Sequence, residues 1–152
     1  MRSSSAGKRE SGIIPKKKTM HADDIDLLFD TNILIYLAKG EEKYLRMFEE
    51  KWIGLTLGTS VISIMELLMG VEDTTEESIL SERLRHIITV PLSEEIAFAS
   101  VHSLRNRAQK NLRGPHTGDT IIAETALSLG IPLVTNNPKD FASFEGLKLI
   151  TP

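Results

Sequence analysis

The sequence predicts an α/β fold, in which helices cover both faces of a short and mostly parallel β-sheet. Short apolar runs of strand length alternate with longer segments of helical periodicity, which indicates successive βαβ units. The 152 residues are enough for one domain with a hydrophobic core, and the composition, 41% hydrophobic and 26% charged, is typical of globular proteins. Neither a G-x-G-x-x-G nor a Walker A motif is present, so no motif favours a nucleotide cofactor.

The predicted strands are short apolar runs that end at turn or capping residues. They comprise residues 27–30, 55–57, 87–90, 133–135 and 147–150. Asp30 ends the first strand, and Thr31 or Asn32 is expected to cap the helix that follows. Pro91 ends the third strand, because proline cannot donate a hydrogen bond to a neighbouring strand.

The predicted helices are indicated by apolar spacing and by capping signals. They comprise residues 31–38, 41–51, 60–71, 93–111 and 117–129, a helix that opens with the capping box Thr74-x-x-Glu77, and a short helix after the turn at 136–137. Ser93 is expected to cap the long helix 93–111. The apolar stripe of that helix is predicted to consist of Ala97, Val101, Leu104 and Ala108.

The composition also excludes several kinds of chemistry. The absence of cysteine excludes disulfides, thiolate zinc sites and a cysteine nucleophile, and it fits a reducing compartment. No apolar run is long enough to span a membrane, and the N-terminus has no apolar stretch typical of a secretory signal. We therefore expect a cytoplasmic protein without a membrane partner.

Charge is distributed unevenly along the chain. Residues 1–22 carry six basic side chains and one acidic side chain, a net charge of about +5. Because the whole chain has a net charge of −3, residues 23–152 carry about −8. The first 22 residues are predicted to form a disordered basic extension, and residues 23–152 to form the domain. An acidic domain that acts on nucleic acid needs local basic residues or a metal ion to attract the phosphates.

Three acidic residues stand in apolar surroundings, where an uncompensated carboxylate is costly to bury. Asp30 is the only charged residue in 27–38, and Glu66 is the only one in 55–71. Asp119 is predicted to share the apolar stripe of its own helix. Each acid also has a structural explanation, because Asp30 could cap a helix, Ser63-x-x-Glu66 has capping-box spacing, and a helix dipole could stabilise Asp119.

Two further polar residues are predicted to lie at the same edge of the sheet as Asp30. Asn137 and Asp140 follow the strand 133–135, although Asn137 could also be a turn residue and Asp140 a surface acid. Carboxylates that converge in one cleft repel each other unless a divalent cation joins them. Oxygen ligands without cysteine or paired histidines favour Mg²⁺ or Mn²⁺ over zinc, and His116 is the only histidine of interest near these acids.

Four sequence segments together resemble the PIN-domain ribonucleases. They are LFDTNILIYL from residue 28, SIMELLMG from residue 63, GDTIIAETAL from residue 118 and LVTNNPKDF from residue 133. The similarity covers about residues 26–152 and is greatest to the VapC-type toxins of bacterial and archaeal toxin–antitoxin pairs. It implies a three-layer α/β/α domain that cleaves RNA with Mg²⁺ or Mn²⁺.

The resemblance also implies roles for individual residues. Asp30, Glu66 and Asp119 stand at the three main acidic positions of the family, where they would hold the metal ion and act in catalysis. The fourth position is often Asp but is Asn137 here, which leaves open whether one or two metal ions bind, and Asp140 could contribute. The secondary polar contacts implied by the family motif are Thr31, Asn32 and Thr135.

The RNA backbone and the protein partners are expected to use other residues. Candidates for contacting RNA phosphates, or alternatively for a solvated helix end, are Lys39, Arg105, Arg107, Lys110 and Arg113. The resemblance implies an antitoxin partner and a homodimer. We expect an antitoxin helix to bind an apolar groove around Ile35, Tyr36, Met47 and Met69.

Two rival functions remain at this stage. The first is a PIN-like scaffold without catalysis, which Asn137 supports and the three retained acids oppose. The second is a receiver-like phosphoacceptor domain, in which Asp23 and Asp24 would imitate the acidic pair, although they precede the strand.

Overall fold

The computed structural model describes residues 21–110 and 116–152. The predicted disordered extension lies outside these residues except for His21 and Ala22, and Arg113 lies outside them as well. Within the described residues, no helix is both long and apolar enough to cross a membrane.

Five parallel strands form one sheet in the order β3-β2-β1-β4-β5, which confirms the predicted α/β fold. The strands are β1 Leu27–Phe29, β2 Leu57–Ser60, β3 Ile88–Val90, β4 Leu133–Val134 and β5 Leu149–Ile150. The central strand β1 pairs with β2 on one side and with β4 on the other. Side chains that follow β1, β2 and β4 therefore meet at the carboxyl edge of the sheet, where ligands bind in open α/β folds.

Helices cover both faces of this sheet. Those in the described residues are α1 Thr31–Ala38, α2 Glu42–Arg46, α3 Val61–Leu68, α4 Thr74–Arg83, α5 Glu94–Gln109, α6 Thr117–Leu129 and α7 Pro138–Phe141. Leu27 and Phe29 point into a hydrophobic cluster that includes side chains from α1 to α4, whereas Leu28 points into a second cluster with side chains from α6 and α7. This alternation along one strand separates the three layers of the predicted α/β/α domain.

Several predicted strand boundaries are wrong. The second strand was predicted at 55–57, but β2 begins at Leu57 and ends at Ser60. Thr59 and Ser60 are buried in the sheet, whereas Leu55 is 42% exposed. Asp30 and Thr135 lie just beyond their strands rather than within them. Apolar content alone therefore misplaced a strand whose buried residues are partly polar.

The capping residues of two helices also differ from the prediction. Asp30, and not Thr31 or Asn32, is the N-cap of α1, and its side chain accepts a hydrogen bond from the Thr31 backbone N–H. Asp73 caps α4 through bonds from the backbone N–H groups of Thr75 and Glu76, so the predicted capping box does not open that helix.

The second half of the predicted helix 41–51 is irregular, and the buried face of the long helix differs from the predicted one. The α-helical part ends at Arg46, and residues Met47–Lys51 form a π-helical turn. In α5 the buried residues are Ile96 and Ser100, whereas Val101, expected in the stripe, is 43% exposed. The predicted α5 stripe is therefore wrong, because the side of the helix that carries Ile96 and Ser100 packs inward, and not the side that carries Val101.

Candidate active site

Asp30 lies at the centre of the carboxyl edge of the sheet. It is only 4% exposed, and its backbone N–H donates to the Val134 carbonyl at 3.0 Å, which ties the end of β1 to β4. Its Oδ1 accepts from the Thr31 N–H at 2.7 Å, and its Oδ2 accepts from Asn32 Nδ2 and from Thr135 Oγ1, each at 2.7 Å. Three donors therefore hold one buried carboxylate in a fixed orientation.

Burial nevertheless dominates the electrostatics of Asp30. Loss of hydration raises the pKa of this carboxyl from 3.8 to about 6, although the bonds from Thr135 and Thr31 act in the opposite direction. The negative charges of Asp119 and Glu66 raise the pKa further. A cation beside Asp30 would relieve both the burial cost and the repulsion.

Thr135 and Asn32 connect Asp30 to the turn after β4. Thr135 is fully buried, and its Oγ1 accepts from the Asn137 backbone N–H at 3.0 Å while it donates to Asp30. The Asn32 side chain donates to Asp30 and accepts from the Asn136 backbone N–H at 3.1 Å. Both residues, expected as secondary polar contacts, therefore make the contacts that orient Asp30. The contribution of Asn136 was not predicted, since a backbone donor leaves no signal in the side-chain pattern.

Glu66 lies on α3, but it does not belong to a capping box at the start of that helix. Because Ser60 caps α3 and the helix starts at Val61, the predicted capping box Ser63-x-x-Glu66 does not exist. Glu66 Oε2 instead accepts from Thr31 Oγ1 at 2.5 Å. Thr31 therefore contacts two of the three candidate acids, through its N–H to Asp30 and through its hydroxyl to Glu66.

Asp119 lies in the first turn of α6 and is half-buried. Burial raises the pKa of its carboxyl, and the charges of Asp140 and Glu66 raise it further, while the hydrogen bond from the His116 backbone N–H and the His116 charge act in the opposite direction. That bond, from His116 N to Asp119 Oδ2 at 3.2 Å, shows that Asp119 also closes the start of the helix. Asp119 therefore caps α6 and also lies close enough to Glu66 and Asp140 for their charges to act on it.

Asn137 and Asp140 lie on the exposed side of the same region. Asn137 Nδ2 donates to Asp140 Oδ2 at 2.7 Å, so the amide nitrogen is directed at Asp140 and not at the buried acids. The charge of Asp140 raises the pKa of Asp119, so the two carboxyl groups lie near each other. Asp140 is thus a peripheral acid of the cleft, and Asn137 orients it.

The donor set fits a hard divalent cation, although the carboxylates are not drawn together. Among residues 21–110 and 116–152, no three His, Asp or Glu side chains already converge as a complete metal site. The groups that surround the cleft are oxygen donors, and burial together with the charges of neighbouring acids raises the pKa of Asp30 and of Asp119. This chemistry is typical of Mg²⁺ or Mn²⁺ sites and not of zinc sites.

The basic candidates are not equivalent in the structure. Lys39 is exposed and lines a cavity that Glu66 also lines. Arg105 and Lys110 are exposed on or beside α5. Arg107 is half-buried, donates to Ser143 Oγ and lies 4.9 Å from the centre of the Phe144 ring, so it serves the packing of α5.

Comparison with known proteins gives the family. A profile of the PIN domain family matches residues 27–147. The chain belongs to the PIN domain family. The tRNA(fMet)-specific endonuclease VapC of Shigella flexneri is 30% identical over 134 residues, which cover 82% of this chain and 96% of that protein. Ribonuclease VapC1 of Rickettsia felis is 28% identical over 135 residues, which cover 82% of this chain and 95% of that protein.

A solved structure supports the same assignment. The crystal structure of VapBC2 from Rickettsia felis, bound to a DNA fragment from their promoter, matches this PIN domain with a TM-score of 0.75 and 26% identity. The match covers 84% of this chain and 99% of that one. The three-layer PIN fold, and the similarity to VapC-type proteins, are therefore confirmed.

The pH dependence of folding tests the burial of Asp30. Because the pKa of Asp30 is about 6 in the folded protein and 3.8 as a free group, the native state holds its proton more tightly than the unfolded state does. The proton on Asp30 therefore stabilises the folded state fully below pH 3.8. This stabilisation, about 3 kcal/mol in the free energy of unfolding, is lost as the pH rises through about 6. We expect the metal-free PIN domain to lose stability between about pH 4 and pH 7 in urea unfolding, and Asp30→Asn to lose less. Equal losses in both proteins would contradict the burial of an uncompensated charge.

Proposed function

We propose that this PIN domain is a Mg²⁺- or Mn²⁺-dependent endoribonuclease and the toxin component of a toxin–antitoxin pair. The observation that carries the proposal is the electrostatics of Asp30, a buried carboxylate whose pKa is raised to about 6 by burial, with Asp119 and Glu66 adding repulsion. A site that concentrates uncompensated carboxylates at the carboxyl edge of a parallel sheet is suited to bind a cation. The family and the named activities of the VapC relatives support RNA as the substrate.

Asp30, Glu66 and Asp119 are the residues that would hold the metal ion, with Asp140 at the periphery. The chemistry that a divalent cation would supply there is polarisation of a phosphate oxygen and a lower pKa for the attacking water. Asp30 presents its carboxylate in the orientation set by Thr31, Asn32 and Thr135. Asp119 or Glu66 would help to orient the attacking water. The similarity to the family suggests products with a 5′-phosphate and a 3′-hydroxyl.

The RNA backbone requires positive charge that the acidic domain as a whole does not supply. Lys39 is one candidate for this charge, because it lines the same cavity as Glu66. The exposed Arg105 and Lys110 are further candidates, as is Arg113, which lies outside the described residues. Arg107 is a poorer candidate because its guanidinium contacts Ser143 and Phe144.

The structure also bears on the rival functions. Asp23 and Asp24 are exposed in the 3₁₀ turn Ala22–Asp24 that precedes β1, so they do not imitate the acidic pair of a receiver domain at the carboxyl edge. The catalytically inactive scaffold differs from the nuclease only in activity, and an assay decides between them.

Cleavage of RNA by the purified protein tests the proposal. We expect cleavage with Mg²⁺ or Mn²⁺, none with EDTA, and a loss of more than about 100-fold in Asp30→Asn and in Asp119→Asn, because each removes a metal-binding charge. Asp23→Asn, which removes an exposed acid before β1, is the matched control and should cleave normally.

Two results would contradict the nuclease. Cleavage that persists in both acid variants would indicate a different active site or a contaminant. A wild-type protein that cleaves no RNA and binds no cation in calorimetry would instead support the inactive scaffold.

An apolar cavity beside the acids suits the proposed antitoxin. It has a volume of about 310 Å³ and lies between α1, α3 and α4. Its apolar lining includes Ile35, Leu67, Val71 and Ile79, and Glu66 lies among its polar lining residues. The solved VapBC2 complex supports a partner that associates with a domain of this fold. The apolar side chains of an amphipathic helix would fill this cavity.

The groove predicted from sequence differs from this cavity. Of its four residues, Ile35 lines the cavity. Tyr36 stacks on Tyr44, Met47 packs against the core, and Met69 is 84% exposed. The expected homodimer stays a prediction.

A single substitution tests the cavity as the antitoxin site. Ile79 lines the cavity and is 51% exposed, so Ile79→Glu should preserve the fold and RNA cleavage while it places a charge against the partner helix. We expect co-expression with the protein encoded by the neighbouring gene to give a complex with the wild type and none with Ile79→Glu. Ile53→Glu, at a residue that is 73% exposed and does not line the cavity, is the control. Equal co-purification of both variants would place the partner elsewhere.

A further inference from the structure

We propose that Gly118 is a positioning residue for Glu66, since only a residue without a side chain leaves room for the Glu66 carboxylate beside Asp119. The inference rests on the proposed function, because it concerns the same cation site. A Cβ atom added to Gly118 would lie 2.6 Å from Glu66 Oε1. Real Cβ atoms do not approach an oxygen so closely, so the carboxylate occupies the space that any other residue at this position would need.

The Glu66 carboxylate is held on two sides. Its Oε2 accepts from the Thr31 hydroxyl at 2.5 Å, and its Oε1 lies 2.6 Å from the place that a Cβ atom of residue 118 would take. Thr31 in turn contacts Asp30, and Gly118 directly precedes Asp119. The space at Gly118 therefore lets the Glu66 carboxylate reach Thr31, which also contacts Asp30.

Backbone conformation does not require glycine at this position. The glycines with a positive φ in the described residues are Gly40, Gly54, Gly130 and Gly146, and Gly118 is not among them. Gly118 is the second residue of α6, where alanine would favour the helix more than glycine does. The remaining reason for glycine here is the approach of Glu66.

A methyl group at position 118 should move Glu66 without unfolding the domain. The contact is with the far end of an exposed and flexible side chain, which can rotate into solvent. The other neighbours of the added atom are Ile62 Cγ2 at 3.6 Å and Glu66 Cδ at 3.7 Å, which are ordinary contacts. We therefore expect the substitution to break the hydrogen bond between Thr31 and Glu66 and to weaken the cation site, while the packing of the core stays unchanged.

The test compares Gly118→Ala with Ser128→Ala. Both substitutions place a better helix former in α6, but Ser128 is exposed beyond the contacts of Glu66. We expect Gly118→Ala to have an unchanged melting temperature or one raised by at most about 2–4 °C, and a Mn²⁺ affinity in calorimetry that is about 10- to 100-fold weaker. A crystal structure of the variant should show Glu66 displaced from Thr31. Ser128→Ala should match the wild type in Mn²⁺ affinity.

A double-mutant cycle with Glu66→Ala separates positioning from a general effect on the fold. If Gly118 acts through Glu66, adding Gly118→Ala to Glu66→Ala should weaken Mn²⁺ binding no further. An unchanged Mn²⁺ affinity in Gly118→Ala, a full additional loss in the double variant, or an undisplaced Glu66 would overturn the inference while the proposed nuclease stands. A wild type that binds no Mn²⁺ would overturn both.

Discussion

The structure depends on the cost of burying the Asp30 carboxylate at the meeting point of three strands. This group is 4% exposed and receives three hydrogen bonds, yet its pKa is raised to about 6. Hydrogen bonds from neutral donors do not compensate for lost hydration when two further acids lie nearby. The fold therefore keeps a charge in a place where it destabilises the isolated domain, which is characteristic of a functional site.

The neighbouring elements are joined through the residues that surround this carboxylate. Thr31 couples Asp30 to Glu66 on α3, and Thr135 couples Asp30 to the turn after β4. Glu66 also lines the apolar cavity between α1, α3 and α4. One acidic side chain thus belongs to both the proposed cation site and the proposed partner surface, so the two surfaces adjoin.

The sequence predicted the α/β class and the neighbourhood of Asp30, because strand–helix alternation and lone acids in apolar segments are local signals. It misplaced β2, since Thr59 and Ser60 are buried through hydrogen bonding and capping and not through hydrophobicity. The spacing Ser63-x-x-Glu66 suggested a capping box, but α3 starts at Val61 and Ser60 is its cap. Nothing in the sequence indicated the contact between Glu66 and Gly118, which joins residues 52 positions apart in the chain. Such contacts depend on how the helices pack.

The position of a bound cation would show whether the Asp30 carboxylate is a metal ligand. Crystals of the protein grown or soaked with Mn²⁺ would show the ion by its anomalous scattering. We expect a strong peak within coordination distance of an Asp30 oxygen, at about 2.0–2.3 Å, with Glu66 or Asp119 as a second ligand. A peak elsewhere on the surface, or a cleft without Mn²⁺ at a pH well above the pKa of Asp30, would contradict this expectation.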